Sequence, residues 1–232
     1  MFAASLPLPY TPSAMRRLFP LVLLSLALAG CGSKTMRFSL AFDVQDSLQR
    51  TILLEESKKV IERRLSRFED ATPSQMVTEN GQSGSILLSF NVNNAEARET
   101  LALELLTPYS LKVMTASTGT GDLFVEDQGW FTDTGLTQKH IFWAEGAADQ
   151  NGKGVVHLVF TDEGRALLKK VFQNNPGGAL GLFVHDRLMA KMPIVSEEPK
   201  EEIIITGIPV PDMAGIFADD VNVGTHVTFS LP

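Results

Sequence analysis

Between residues 36 and 44 apolar and polar positions alternate, with Phe38, Leu40 and Phe42 on one side, and this period of two predicts a strand. From 47 to 68 the period lengthens. Leu54, Ile61, Leu65 and Phe68, widened by Leu53 and Val60, form a helical stripe, and Glu55, Glu56, Lys58, Lys59, Glu62 and Arg63 are expected to face water. Short strands follow at 74–79 and 85–91, turned by Asn80-Gly81 and Gly84. Asn93-Asn94 offers a cap for a helix over Ala95–Leu106 that Pro108 stops. A strand at 109–115 completes the order β-α-β-β-α-β, the split βαβ or ferredoxin-like arrangement.

Residues 116–121 (ASTGTG) read as a small-residue break. Beyond it, 122–127 and 130–140 form the next segments, with 135–137 and the Gly-rich stretch 146–154 as loops. A strand at 155–160 leads to Thr161, which caps a helix with Leu167, Leu168, Val171 and Phe172 on one face. That helix ends at Asn174-Asn175-Pro176-Gly177-Gly178. Residues 179–184 and 187–192 predict a hairpin turned by His185-Asp186, two residue types that tolerate positive φ. A strand at 202–206 comes next. Pro211 then starts a helix whose expected buried face is Met213, Ile216 and Phe217, and 225–231 closes as a strand. The second part repeats the α+β rhythm of the first without a residue-level repeat.

Ahead of these elements lies 15–33, MRRLFPLVLLSLALAGCGS. Arg16 and Arg17 precede an uncharged, Leu-rich run, and Ala29-Gly30 precede Cys31, the one cysteine of the chain. This is the layout of a secretory signal peptide, shorter than the ~20 apolar residues that a membrane-spanning helix needs. Residues 1–14 add no charge; they are either a long leader start or lie upstream of a first residue at Met15.

Leu28-Ala29-Gly30-Cys31 resembles the lipobox of bacterial lipoproteins. The resemblance implies a lipid attached at Cys31, cleavage in front of it, and a mature chain held on a membrane by acyl chains of the palmitate kind, each buried CH₂ contributing ~0.8 kcal/mol. The alternative is an ordinary cleaved signal that leaves Cys31 as a small buried hydrophobe. Gly32 is not the Asp that resembles an inner-membrane retention signal, so the outer membrane is favoured.

Charge narrows the function classes. Lys and Arg number 20 against 27 Asp and Glu, a net charge of −7. The leader holds two arginines and no acid, so the roughly 200 residues after it are more acidic still. No nucleic-acid partner is expected, since phosphate contacts need clustered Lys and Arg. With its cysteine committed to lipid the domain has no internal disulfide, and its stability comes from burial.

Asp133-Thr134-Gly135-Leu136-Thr137, the strand at 155–160 with Thr161-Asp162-Glu163-Gly164, the Gly177-Gly178 turn, the hairpin at 180–193, Ile205-Thr206-Gly207 and the closing Leu231-Pro232 occur in that order. The series resembles the first periplasmic domain of SecD, the membrane-bound accessory subunit of the bacterial Sec protein translocase. Val60-Ile61-Glu62-Arg63-Arg64-Leu65 is similar to that family's base region. The resemblance implies an α+β chain facing the periplasm. Its parts would be a signal peptide at 1–30, a tether at 31–35, a ferredoxin-like base domain at 36–115 and a SecD-head-like α+β subdomain at 116–232. Translocase subunits and exported polypeptides are the partners it implies.

Two departures matter. His185-Asp186 stands where the family has Asp-Gly, and the strand after it is one residue longer before Pro193, which suggests a bulge. The family also continues into transmembrane helices after Leu-Pro, where this chain ends, so energy-driven pulling of preprotein is not implied.

Candidate chemistry is sparse. His140, His157, His185 and His226 show no metal-ligand spacing, and no G-x-S-x-G elbow or phosphate loop appears. No metal, cofactor or catalytic residue is expected, and the chain reads as a non-enzyme. Glu197, Glu198, Glu201 and Glu202 flank Pro199 as a solvated charge run. Trp130, Phe131, Phe142 and Trp143 are core residues or, if exposed, a contact patch. The function expected is that of a lipid-anchored binding protein assisting export; the alternative is a structural or assembly lipoprotein of the envelope.

Overall fold

The computed structural model describes residues 35–195 and 201–232. The expected signal peptide at 1–30, Cys31, the tether up to residue 34, and Glu197 and Glu198 lie outside the described residues.

Alternation over Thr35–Phe42 produces β1, with Phe38 and Leu40 buried. α1 (Ser47–Leu65) starts at Asp46, whose carboxylate accepts the Gln49 N–H at 2.8 Å, a side-chain cap that meets one of the unpaired donors of the first turn. β2 (Val77–Asn80), β3 (Ile86–Asn91) and α2 (Ala95–Leu106) follow, and Asn94 caps α2 by accepting the Ala97 N–H at 3.0 Å. The next strand departs from expectation. β4 (Leu111–Ser117) leaves for another sheet, and its place in the first is taken by β12 (Val227–Ser230).

The resulting order is β12-β1-β3-β2, each neighbour antiparallel. This is the ferredoxin-like order with its fourth strand drawn from the far end of the chain. Everything from β4 onward is in effect inserted between α2 and β12. The expected boundary between 115 and 116 therefore falls inside β4, while 227–230 belong with the first sheet.

The inserted part carries two further antiparallel sheets. One has the order β10 (Arg187–Pro193), β9 (Ala179–Val184), β4, β6 (Gly129–Thr137), β5 (Leu123–Val125). The other has β11 (Glu202–Ile208), β8 (Gly154–Phe160), β7 (Ile141–Ala148). α3 (Asp162–Asn174) is capped by Thr161, and α4 (Pro211–His226) places Pro211 in its first turn, where a missing N–H costs nothing. Leu111, Val113, Leu136, Val156, Leu158, Phe160, Leu168 and Leu182 form the main core of this part. Met114, Phe131 and Phe183 form a smaller core on the opposite face of the five-stranded sheet. His185 and Asp186 both have positive φ, 48° and 59°, as the primed hairpin turn requires, and the register shifts between Leu188 and Ala190 where the bulge was expected. No helix among the described residues is long and apolar enough to cross a membrane.

α4 corrects the sequence reading most sharply. Met213 and Ile216, expected inside, are 50% and 41% exposed; the buried face is Ala214, Ala218, Val221, Asn222 and Val223. Small residues are needed there because α4 lies almost on the backbone of β7. A Cβ on Gly146 would stand 2.5 Å from the Gly215 nitrogen. Gly146 opens the stretch expected to be a loop, yet it is a strand residue that admits the helix.

Gly224 serves a similar purpose, since a Cβ there would meet the Tyr109 ring at 2.4 Å, whereas Gly215 has open space. Gly224→Ala is therefore expected to lower stability by about 1–2 kcal/mol, overpacking outweighing the ~1 kcal/mol gain in helix propensity. Gly215→Ala is expected to raise it. Urea midpoints of the two variants should move in opposite directions.

Candidate functional site

α4 holds the outer edge of β7 through side chains four residues apart. The Asn222 Oδ1 accepts the Ala144 N–H at 2.7 Å, and its Nδ2 donates to the Ala144 carbonyl at 3.0 Å. One turn on, the His226 Nε2 lies 3.0 Å from the Phe142 carbonyl. An edge strand is thus closed by an amide and an imidazole standing in for a neighbouring strand. The other ring nitrogen, His226 Nδ1, lies 2.8 Å from Asp43 Oδ1, and the ring stacks on Trp143 with centroids 5.7 Å apart. His226 is at the C-terminus of α4, not in a strand as the alternation of 225–231 suggested.

Beside this clamp opens a cleft of about 540 Å³. Its walls are the end of α2 with Thr107 and Pro108, Tyr109 ahead of β4, Phe142 on β7, His185 at the hairpin tip, and Val223 through Phe229. Arg64 and Glu104 face it with their charges 3.7 Å apart. Burial lowers the pKa of Arg64, with the neighbouring Asp220 and Glu104 acting against that, and burial pushes the Tyr109 phenol up.

β12 is an edge strand and lines the cleft. The Asp43 N–H donates to the His226 carbonyl at 3.1 Å, and the register pairs Ala41 with Thr228. Antiparallel alternation then turns the backbone of Thr228 and Ser230 towards β1 and that of Phe229 away from it. The Phe229 N–H and C=O and the Val227 carbonyl face away from β1. The Val227 N–H is already used on the Val223 carbonyl.

A hydroxyl, an imidazole and a carboxylate come together here, since Thr225 precedes His226 and its buried Oγ1 has no partner among the described residues. Geometry separates them from a catalytic triad. In a triad the nitrogen remote from the carboxylate faces the hydroxyl; here it faces the Phe142 carbonyl. The other histidines are dispersed: His140 beside Thr137, His157 3.3 Å from Glu202, and His185 edge-on to Tyr109.

The four candidate aromatics do not form one patch. Phe131 is wholly buried, and Trp143 packs against the core of the first sheet, which holds Phe38, Leu40, Leu53, Ile61 and Val223. Phe142 is 53% exposed in the cleft, while Trp130, on β6, pairs with Phe124. Sequence reasoning missed Asn222 and its role; the i, i+4 spacing of Asn222 and His226 on a helix was the available signal. It also missed Glu56, which the apolar stripe of α1 predicts to face water and which is buried between α1 and α4.

No protein-family model matches the chain, and no curated protein matches it in sequence. Solved structures of SecDF are similar in fold. A chain from the structure of SecDF, a membrane component that enhances protein export, is 17% identical with a TM-score of 0.48, covering 85% of this chain and 99% of that one. SecDF in a super-membrane-facing form is 19% identical with a TM-score of 0.48, covering 84% and 29%. SecDF from Thermus thermophilus, a translocon-associated membrane protein, is 19% identical with a TM-score of 0.47, covering 84% and 30%. The chain thus spans nearly all of the first and under a third of the other two.

Proposed function

We propose that this chain is a lipid-anchored, periplasm-facing binding protein whose SecD-like domain receives extended polypeptide as an accessory to protein export. The observation that carries the reading is the cleft beside β12. An extended segment laid there would pair its backbone with the Phe229 N–H and C=O and the Val227 carbonyl, while Phe142 and Pro108 supply apolar contact. Strand addition of this kind takes affinity from the main chain and tolerates many sequences. That suits a protein that meets many exported chains.

The anchor is supported by Leu28-Ala29-Gly30-Cys31 behind the Leu-rich run. A binding role, not turnover, is supported by the His226 ring, both of whose nitrogens are already engaged. Mass spectrometry of the native product is expected to show a first residue at Cys31 bearing acyl chains, and Cys31→Ser is expected to stay uncut. An unmodified sulfur on an intact leader would refute the anchor.

The cleft has its own test. A photo-crosslinking residue in place of Phe142 is expected to capture a reduced, unfolded exported polypeptide. The same residue in place of Leu48, exposed on α1, is expected to capture far less. Equal capture at both positions would remove the cleft from the reading.

A further inference from the structure

The β5–β6 hairpin presents a second surface. Its register places Leu123 opposite Phe131 and Phe124 opposite Trp130. Leu123, Val125 and Phe131 turn inward to the small core with Met114 and Phe183. Phe124 and Trp130 consequently point to the other side, where alternation would call for polar residues. They are 55% and 36% exposed and pack against each other with ring centroids 5.1 Å apart.

Asp122, Glu126 and Asp127 flank them along the hairpin, all exposed, and from 122 to 138 the sequence holds no Lys or Arg. None of these three carboxylates forms an ion pair among the described residues. The nearby cation of β10, Lys191, sits over Phe131 on the inner face and donates to Gln128. Lys112 is paired with Asp186.

We infer that this hairpin is a docking surface for a polypeptide segment that carries Lys or Arg beside apolar side chains. Apolar groups would cover the Phe124–Trp130 pair. Cations would meet the carboxylates and the Trp130 face, where a cation–π contact adds to the ion pairs. The excess of carboxylates selects this occupant over an anionic lipid surface, which it repels. The inference rests on the polypeptide-binding reading and adds to it a place and a charge preference.

The test uses the full chain in neutral detergent and three short fluorescent peptides: one alternating Lys with Leu, one with Glu for Lys, and one with Ser for Leu. The Lys–Leu peptide is expected to bind best, and more weakly as salt rises. Phe124→Ser with Trp130→Ser is expected to weaken it about tenfold or more. Glu126→Gln with Asp127→Asn, which leaves intact the aromatic packing and the Asp122 carboxylate that accepts the Asp133 N–H at 2.8 Å, is expected to weaken it about threefold to tenfold.

Unchanged binding in both double variants, with loss in Phe142→Ser, would overturn the hairpin assignment and leave the cleft reading standing. Equal binding of the Glu–Leu peptide would overturn the charge preference. Binding of none of the peptides would overturn both readings. Hairpin-dependent binding to anionic phospholipid vesicles would overturn the choice of occupant.

Discussion

Asn222→Leu is expected to remove about 4 kcal/mol of folding stability. The wild-type amide satisfies both the N–H and the carbonyl of Ala144, a residue 1% exposed. Leucine fills a similar volume and offers neither a donor nor an acceptor. Two buried backbone groups are then left unmet at ~1–3 kcal/mol each. Urea denaturation measures the loss, and amide hydrogen exchange at Ala144 should accelerate out of proportion to its neighbours. A loss below about 1 kcal/mol would mean that water reaches the β7 edge and that the clamp is incidental.

Glu56 is expected to make stability fall as pH rises. Burial first, and then the Asp219 carboxylate, raise its pKa from 4.5 to about 7; an Asn222 hydrogen bond, Lys59 and Arg63 act in the opposite direction. Its Oε2 is buried without a hydrogen-bond partner. Between these two values the folded chain holds a proton that the unfolded chain has lost, so the slope of stability with pH is negative there. The contribution is fully present below about 4.5 and is lost as pH passes through about 7. Glu56→Gln should therefore raise stability at pH values above 7, by on the order of 2 kcal/mol, and change it little in mild acid. Parallel pH–stability curves for the two proteins would show that the carboxyl is solvated after all. Because Asn222 lies between Glu56 and Ala144, the two substitutions are expected to combine non-additively.

Elements whose stabilising groups are local were legible in the sequence. The Asn94 cap and Pro108 bracket α2 at Ala95–Leu106, and His185-Asp186 with one surplus residue before Pro193 gave both the turn and the bulge. What stayed hidden depends on partners distant in the chain. A strand at Leu111–Ser117 carries no mark of which sheet it joins, and the ferredoxin-like reading assigned it to the nearer one. α1 looks like a helix with one wet side until α4 covers that side; Glu56 and Ser57 then fall inside a buried arc wider than the apolar stripe. On α4 the largest apolar residues mark the exposed face, because the approach to Gly146 admits only small ones. The cleft is assembled from α2, β7, β12 and a hairpin tip, so no single stretch advertised it. Of the four aromatics, alternation alone could have separated inward Phe131 from outward Trp130.

The pairing of β12 with β1 has a consequence for how the molecule is made. Ser230 and Ser39 are neighbours across 191 positions of sequence, so a chain emerging from its N-terminus must hold β1 with one bare margin until β12 has been made. That margin is a ready template for wrong pairing, and such distant closure slows folding. Products truncated just before Val227 should aggregate instead of yielding a shorter, functional protein.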